Sequence, residues 1–324
     1  MNLTEFNQSD RCEHFFCPER SVSPILYILL YACSAAVVLL TVCGNLLIII
    51  SVFYFKQLQT PTNMLVLSLA VSDFLVGALV MPLMLIWTIE SCWIFGKVLC
   101  ISFFVVSGFF MTISIYNVTL IAVDRYLALS HPFLYLNTIS RRTTCIVVYC
   151  NWCVLGLYVT AFYYFTGTFS SFVMCPGECF YLLNEVWSEV DLVFSFIFPL
   201  SIIGMLYIRV FGIAKKHATA IRELNNHTWP KIHMKSERKA AKVLGILVSV
   251  FLVCLLPYFI YSLIGTVIEI QAETLFKVLA VVHINSCINP YIYALFYPWF
   301  RKCIKLVITL KIFQTDSKFI NILS

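Results

Sequence analysis

Seven apolar runs mark the chain, near 25–53, 62–88, 98–123, 143–166, 190–213, 240–268 and 273–297. Each reaches the roughly 20 helical residues that a hydrocarbon layer requires, and polar segments separate them. They are too long and too poor in charge for the buried helices of a soluble protein. The pattern predicts an all-α membrane protein, a seven-transmembrane helix bundle over 25–297. A polar N-terminus, 1–24, precedes the bundle, and 298–324 follows it. No cleavable signal is evident, so span 1 is expected to act as its own signal anchor. The stretch PWFRKCIKLVITLKIF, 298–313, has a different period. Phe300, Ile304, Val307 and Ile308 share one helical face, while Arg301, Lys302 and Lys305 turn towards lipid head groups. This predicts a short amphipathic helix along the inner membrane surface, then a cytoplasmic tail. Cys303 on that helix is a candidate for palmitoylation, or simply one more apolar side chain.

Composition agrees with the pattern. The 324 residues are 61% hydrophobic and 12% charged, with mean hydropathy +0.90, against roughly 25% charge in a soluble domain. The sign of the charge then sets orientation. Lys56, Arg141, Arg142, Lys215, Lys216, Arg222, Lys231, Lys235, Arg238, Lys239, Lys242, Arg301, Lys302 and Lys305 lie after spans 1, 3 and 5 and in the tail. By the positive-inside rule the N-terminus is outside and the C-terminus inside. The net charge of +6 is therefore a topology signal and implies no nucleic-acid partner. The opposite side is acidic, with Glu5, Asp10, Glu13, Glu19, Glu90, Glu178, Glu185, Glu189, Glu269 and Glu273. Such a vestibule gathers cations within a Debye length of roughly 8 Å. Cys12, Cys17, Cys92, Cys100, Cys175 and Cys179 fall on this oxidising side, where disulfides persist. Asn2 and Asn7 head glycosylation sequons there, whereas the NHT at Asn226 is cytoplasmic and should stay bare.

Two acids lie clear of the span ends. Asp73 falls at mid-membrane in span 2, and Asp191 stands at the mouth of span 5 in EVWSEVDLVFSFIFPL, 185–200. A carboxylate in such surroundings loses hydration and needs an offset. Asp191 either serves a cation or sits solvated just above the bilayer core. Ser195 is four residues on, on the same face, while Glu189 points about 200° away from Asp191. A transporter or channel should show more intramembrane charges or broken paired helices. No HExxH, GxSxG or nucleotide loop occurs, so an enzyme is not expected. In CPGEC, 175–179, the outer location favours a disulfide over zinc.

Short motifs occur one per span: GNLL at 44–47, LAVSD at 69–73, DRY at 124–126, Trp152, Pro199, CLLP at 254–257 and NPYIY at 289–293. In this order they resemble the rhodopsin-like (class A) G-protein-coupled receptors from about residue 25 to 313. NSCINPYIYALFYPWF, 285–300, is similar to the fingerprint of trace-amine-associated receptors, most of them olfactory receptors for volatile amines. KSERKAAKVLGI, 235–246, and SCWIFG, 91–96, resemble that family too.

The resemblance implies a plasma-membrane receptor, in olfactory sensory neurons, that binds a small-molecule amine. It implies coupling to a stimulatory, cAMP-raising heterotrimeric G protein, with arrestin and receptor kinase as further partners. Asp73, with Asn45, Ser114, Asn285, Ser286 and Asn289, resembles the family's buried sodium site; a neutral, water-filled network is the alternative. Asp124, Arg125 and Tyr126 should serve signalling, with Glu237 as a partner that can hold Arg125. Tyr207 and Tyr293 match the inner-half tyrosines, and Ile115, Pro199 and Phe251 the apolar switch cluster. Disulfides Cys100–Cys179 and Cys17–Cys175 are implied, with Cys12 competing for the place of Cys17.

The chain also departs from the pattern. Most amine receptors carry an Asp in span 3, seven residues past Cys100; here that position is Ser107. A subset known best in fishes has a carboxylate where Asp191 stands, and some of its members lack the span-3 Asp. Asp191 is thus the expected counter-ion of the ligand. Leu255 replaces the usual Trp of span 6. His283 stands where a Tyr often braces the span-3 Asp; it is a second polar contact, a pH-sensitive group or a buried neutral imidazole. Ser107, Gly108, Met111, Thr112, Ser195, Tyr258, Phe259, Ser262, Leu279 and His283 are the positions that would line the pocket, and Tyr258 and Phe259 can add cation–π contacts. The alternative is a class A receptor for a lipid, steroid or peptide, with Asp191 incidental.

Overall fold

The computed structural model describes residues 17, 23–169, 175, 177–179, 185–223, 245–261, 263, 272–296 and 298–309. Asn2, Asn7, Cys12, Asn226, Glu237 and Ser262 lie outside them. The chain forms a seven-helix membrane bundle. Six helices are long and apolar enough to span: Pro24–Tyr54, Pro61–Glu90, Gly96–Ser130, Arg141–Thr166, Val186–Ile213 and Lys277–Phe296. The shorter apolar helix Gly245–Tyr261 is the described part of span 6. Four elements escaped the apolar pattern: the 3-10 turn Lys56–Leu58 after span 1, the short helix Pro132–Thr138 after span 3, and two π-helical turns, one inside span 2 and one inside span 5.

Spans 1 and 2 start by the same device, a hydroxyl residue followed by proline. Ser23 Oγ accepts from the Leu26 amide at 3.4 Å, and Thr60 Oγ1 accepts from the Asn63 amide at 3.3 Å. Pro24 and Pro61 then take positions where an amide hydrogen has no intrahelical partner. The π turns also have a proline cause. Val76–Val80 lies just before Pro82, and Val193–Ile197 just before Pro199. A proline ring collides with the carbonyl four residues back and removes one amide donor. Widening the preceding turn relieves both.

Packing explains one glycine. A Cβ on Gly44 would stand 2.9 Å from the Pro290 ring, so the close approach of span 1 to span 7 at this point requires a residue with no side chain. Two apolar clusters fill the bundle. The larger one, towards the Arg125 end, includes Ile48, Leu69, Ile115, Ile121, Phe251 and Tyr293. The smaller one, towards the disulfide end, gathers Met84, Trp87, Trp93 and Phe103 around Cys100 and Cys179. Many large apolar side chains, such as Ile28, Leu39, Phe53, Leu157 and Ile208, stay exposed on the bundle's outer faces. That is the expected surface of a protein solvated by lipid tails.

The amphipathic helix is Pro298–Ile308. Its buried face is Trp299, Phe300 and Cys303, with Ile304 and Val307 half-buried and Ile308 exposed. Two expectations are refined here. Arg301 does not simply face lipid head groups: its guanidinium donates to the carbonyls of Ala294 and Leu295 at 3.0 and 2.9 Å, capping the end of span 7. Cys303 is fully buried in the larger core cluster, and burial pushes its thiol pKa up. Of the two readings of Cys303, a palmitoylation site or one more apolar side chain, the buried position agrees with the second, since the helix turns it inward with Phe300.

Candidate ligand-binding and signalling site

The Asp191 carboxylate is half-buried, and two hydroxyls hold it. Ser195, one turn on, donates to Oδ1 at 2.8 Å, as the shared helical face predicts. Tyr158 of span 4 donates to the same oxygen at 3.1 Å. The Tyr158 ring is itself fixed against Phe194, with centroids 4.1 Å apart. Among the described residues no cation pairs with Asp191, and no donor reaches Oδ2. Among the described residues, then, one oxygen of the carboxylate stays unoccupied in a low-dielectric setting. Glu189 is exposed, as its position on the helix suggests.

The remaining pocket candidates fall into four groups. Ser107 and His283 are buried and joined at 3.1 Å between Ser107 Oγ and His283 Nε2. His283 Nδ1 lies 2.7 Å from the Leu279 carbonyl. A carbonyl can only accept, so Nδ1 carries the hydrogen, Nε2 is the acceptor and Ser107 donates to it. A hydrogen bond between spans 3 and 7 thus survives without an Asp. Met111 and Leu255 border a cavity of about 20 Å³ with His283, Phe251 and Ile115. That is room for one water-sized guest, in the layer where Leu255 stands instead of a larger ring. Tyr258 stacks on Phe196 at 5.3 Å between centroids, and Phe259 packs on the larger core. Thr112 and Gly108 contribute less: the Thr112 hydroxyl donates to the Gly108 carbonyl at 2.9 Å. Gly108 itself faces the Tyr163 hydroxyl, which a Cβ would meet at 3.1 Å.

Deeper in the bundle Asp73 is completely buried. Ser286 Oγ donates to Oδ1 at 2.8 Å and Asn289 Nδ2 to Oδ2 at 2.6 Å, so both carboxylate oxygens bind span 7. The other expected members sit beside this tie. Asn45 Nδ2 donates to the Thr41 and Ser286 carbonyls, and Ser114 bonds Ser72 at 3.2 Å. The Oδ1 atoms of Asn45, Asn285 and Asn289 are buried with no hydrogen-bond partner among the described residues. Amide oxygens, hydroxyls and one carboxylate form the oxygen-donor set that a small hard cation prefers.

At the far end Arg125 pairs with Asp124 at 2.6 Å and donates to Thr62. Asp124 also accepts from Thr62 at 2.9 Å and from Tyr135 at 2.8 Å. Burial, followed by the Asp124 charge, pushes the Tyr135 phenol up to about 12. Tyr126 is half-buried. Tyr207 and Tyr293 are buried in the same core cluster as Ile115 and Phe251, and Pro199 is buried.

Sequence comparison decides the family. Residues 44–293 match the family described as 7 transmembrane receptor (rhodopsin family). Trace amine-associated receptor 13c of Danio rerio is 38% identical over 313 residues, covering 93% of this chain and 91% of that protein. Trace amine-associated receptor 1 of Macaca mulatta is 36% identical over 303 residues, covering 89% and 90%. Trace amine-associated receptor 7c of Rattus norvegicus is 36% identical over 321 residues, covering 94% and 89%. The chain belongs to the rhodopsin-family receptors, among the trace amine-associated receptors. It is a multi-pass membrane receptor and no enzyme.

Within this trace amine-associated receptor one disulfide is as expected, Cys100–Cys179. The other is not. Cys17 bonds Cys92, and Cys175 is bonded to a partner other than Cys17. The cause lies at the end of span 2. Ser91 takes a left-handed conformation (φ 52°) and closes the helix. The Trp93 amide then donates to the Gly177 carbonyl at 2.8 Å, laying the first loop on the second. Cys92 and Cys175 thus belong to adjacent loops, and spacing alone did not say which one meets the N-terminus. Tyr158 is the other residue that sequence reasoning missed. It is one of many aromatics in span 4, and nothing in their spacing singles out the one that reaches Asp191.

Proposed function

We propose that this receptor binds a protonated small-molecule amine through Asp191 and signals through a stimulatory, cAMP-raising heterotrimeric G protein. The observation that carries the reading is the Asp191 carboxylate, unpaired by any described cation and with Oδ2 open. An ammonium supplies the missing charge and a charge-assisted hydrogen bond. The names of the relatives, all trace amine-associated, supply the ligand class. The N-terminus is outside at the plasma membrane, in keeping with the basic residues after spans 1, 3 and 5. Olfactory sensory neurons, arrestin and receptor kinase complete the setting expected of the family. Ser107, His283, Met111, Tyr258, Phe259 and Leu279 complete the pocket.

A sodium ion at Asp73 belongs to the same reading. Asp73, Ser286 and the unpartnered oxygens of Asn45, Asn285 and Asn289 would hold it. It would stabilise the signalling-inactive arrangement by binding that state better. At the other end Arg125, tied to Asp124, is the group that must be released to meet a G protein.

A panel of amines with a cAMP reporter tests the function, with steroids, lipids and peptides as comparison ligands. Amines should raise cAMP. A response confined to the comparison ligands overturns the amine reading. Arg125→Ala should abolish the response while surface expression persists; normal signalling by that variant removes Arg125 from coupling.

A further inference from the structure

Asp191 has an ionic role only if its carboxylate stays charged and pointed before a ligand arrives, and Ser195 alone supplies one neutral donor. We propose that Tyr158 is a positioning residue of the amine site, acting through Asp191 by fixing its Oδ1 so that Oδ2 is left for the ligand ammonium. The inference rests on the amine reading above and adds span 4 to the recognition apparatus.

The geometry is specific. Tyr158 and Ser195 come from different helices and converge on one oxygen, at 3.1 and 2.8 Å. Hydroxyls bonded to an ionised acceptor are stronger than neutral pairs, and two of them replace part of the water that the carboxylate has lost. Spreading the donors over both oxygens would satisfy the acid; placing both on Oδ1 directs the remaining acceptor capacity to one side. The ring is held independently of the hydroxyl. It packs on Phe194 at 4.1 Å and on Phe162 at 5.9 Å between centroids. Phe194 is fixed in turn, because Tyr116 of span 3 donates to its carbonyl at 3.0 Å. The carbonyl lies in the π turn Val193–Ile197, so the wide turn gives Tyr116 and Tyr158 their common partner residue. A phenylalanine at 158 would keep these ring contacts and lose only the donor.

The test is a double-mutant cycle read as amine potency in the cAMP assay. Tyr158→Phe should lower potency about tenfold or more, the worth of a hydrogen bond to a charged group, with normal surface expression and thermal stability. In an Asp191→Asn background the same change should cost little, because Tyr158 acts through the acid. If Asp191→Asn gives no measurable response, Asp191→Glu replaces it in the cycle, and the Tyr158→Phe cost should shrink there because the carboxylate has moved. Equal losses in both backgrounds, or a loss that follows lowered thermal stability, show a packing role and overturn the proposal. Unchanged potency in Tyr158→Phe overturns it too. The underlying reading fails separately, if Asp191→Asn itself leaves amine potency intact.

Discussion

Asp73 and Asp191 are both carboxylates inside the membrane, and the bundle treats them in opposite ways. Asp73 is sealed, and each of its oxygens takes a donor from span 7. Asp191 is half-buried, and its two donors among the described residues crowd one oxygen. The first arrangement ties two helices together through both oxygens of the acid. The second leaves an acceptor facing outward from its own support. An intramembrane acid is costly in either place, but the distribution of donors over its two oxygens separates a helix tie from a ligand contact.

The largest effect should come from the open acid. Asp191→Asn keeps the shape and removes the charge, so a bound ammonium is left without a counter-ion. The cost should be roughly 3–5 kcal/mol, or about 10²-fold to several 10³-fold in amine potency, with the maximal response retained. Asp191→Glu should lose less, since charge survives and only its position shifts. Unchanged potency in a variant that reaches the surface would make Asp191 a solvated bystander and erase the contrast with Asp73.

A smaller, different effect should follow at the sealed acid. In Asp73→Asn, Asn289 can turn its amide to suit the new carboxamide and Ser286 can rotate its hydroxyl, so the span 2–span 7 tie persists. What is lost is the charge that would hold sodium. Raising sodium should weaken amine potency severalfold in the wild-type receptor and leave Asp73→Asn unmoved. Equal sodium sensitivity in both would assign the polar layer to neutral hydrogen bonding and remove the ion from the account.

The two acids were legible in the sequence, and so were the helices around them. Apolar runs of spanning length located the membrane-spanning helices to within a few residues at most ends, because hydrocarbon thickness sets a minimum helix length, but they missed Pro132–Thr138. Asp191 and Ser195 sharing a face followed from helical period alone. What period could not supply was contact between helices. Tyr158 meets Asp191 across the span 4–span 5 interface, and Cys17 meets Cys92 across loops whose folding depends on Ser91 and the Trp93–Gly177 pairing. The π turns were written in Pro82 and Pro199, yet a proline in a helix can also kink or end it, and only packing selects the outcome. Cys303 shows the same limit: amphipathic period placed it on the helix, but the core decided that it faces inward.

The smallest effect of a single substitution is expected where most amine receptors keep their anchor. Ser107→Asp would appear to add a second acid to the pocket and admit ligands with two cationic ends. His283 Nε2 stands 3.1 Å from Ser107 Oγ, however, and its other nitrogen is held by the Leu279 carbonyl. In that tautomer Nε2 is an acceptor and cannot bond a carboxylate, but a charge at 107 favours protonation of His283, and the imidazolium then pairs with the new aspartate. Ser107→Asp alone should improve diamine potency relative to the matching monoamine by only a fewfold. Adding His283→Tyr replaces the competing imidazole with a phenol that braces the acid and leaves its charge to the ligand. The double variant should favour the diamine by about tenfold, roughly the 1.4 kcal/mol of one modest polar contact. Matched monoamine and diamine series in the cAMP assay measure both. A full diamine preference from Ser107→Asp by itself would mean that His283 does not compete, and that the span 3–span 7 hydrogen bond is no part of the pocket's electrostatics.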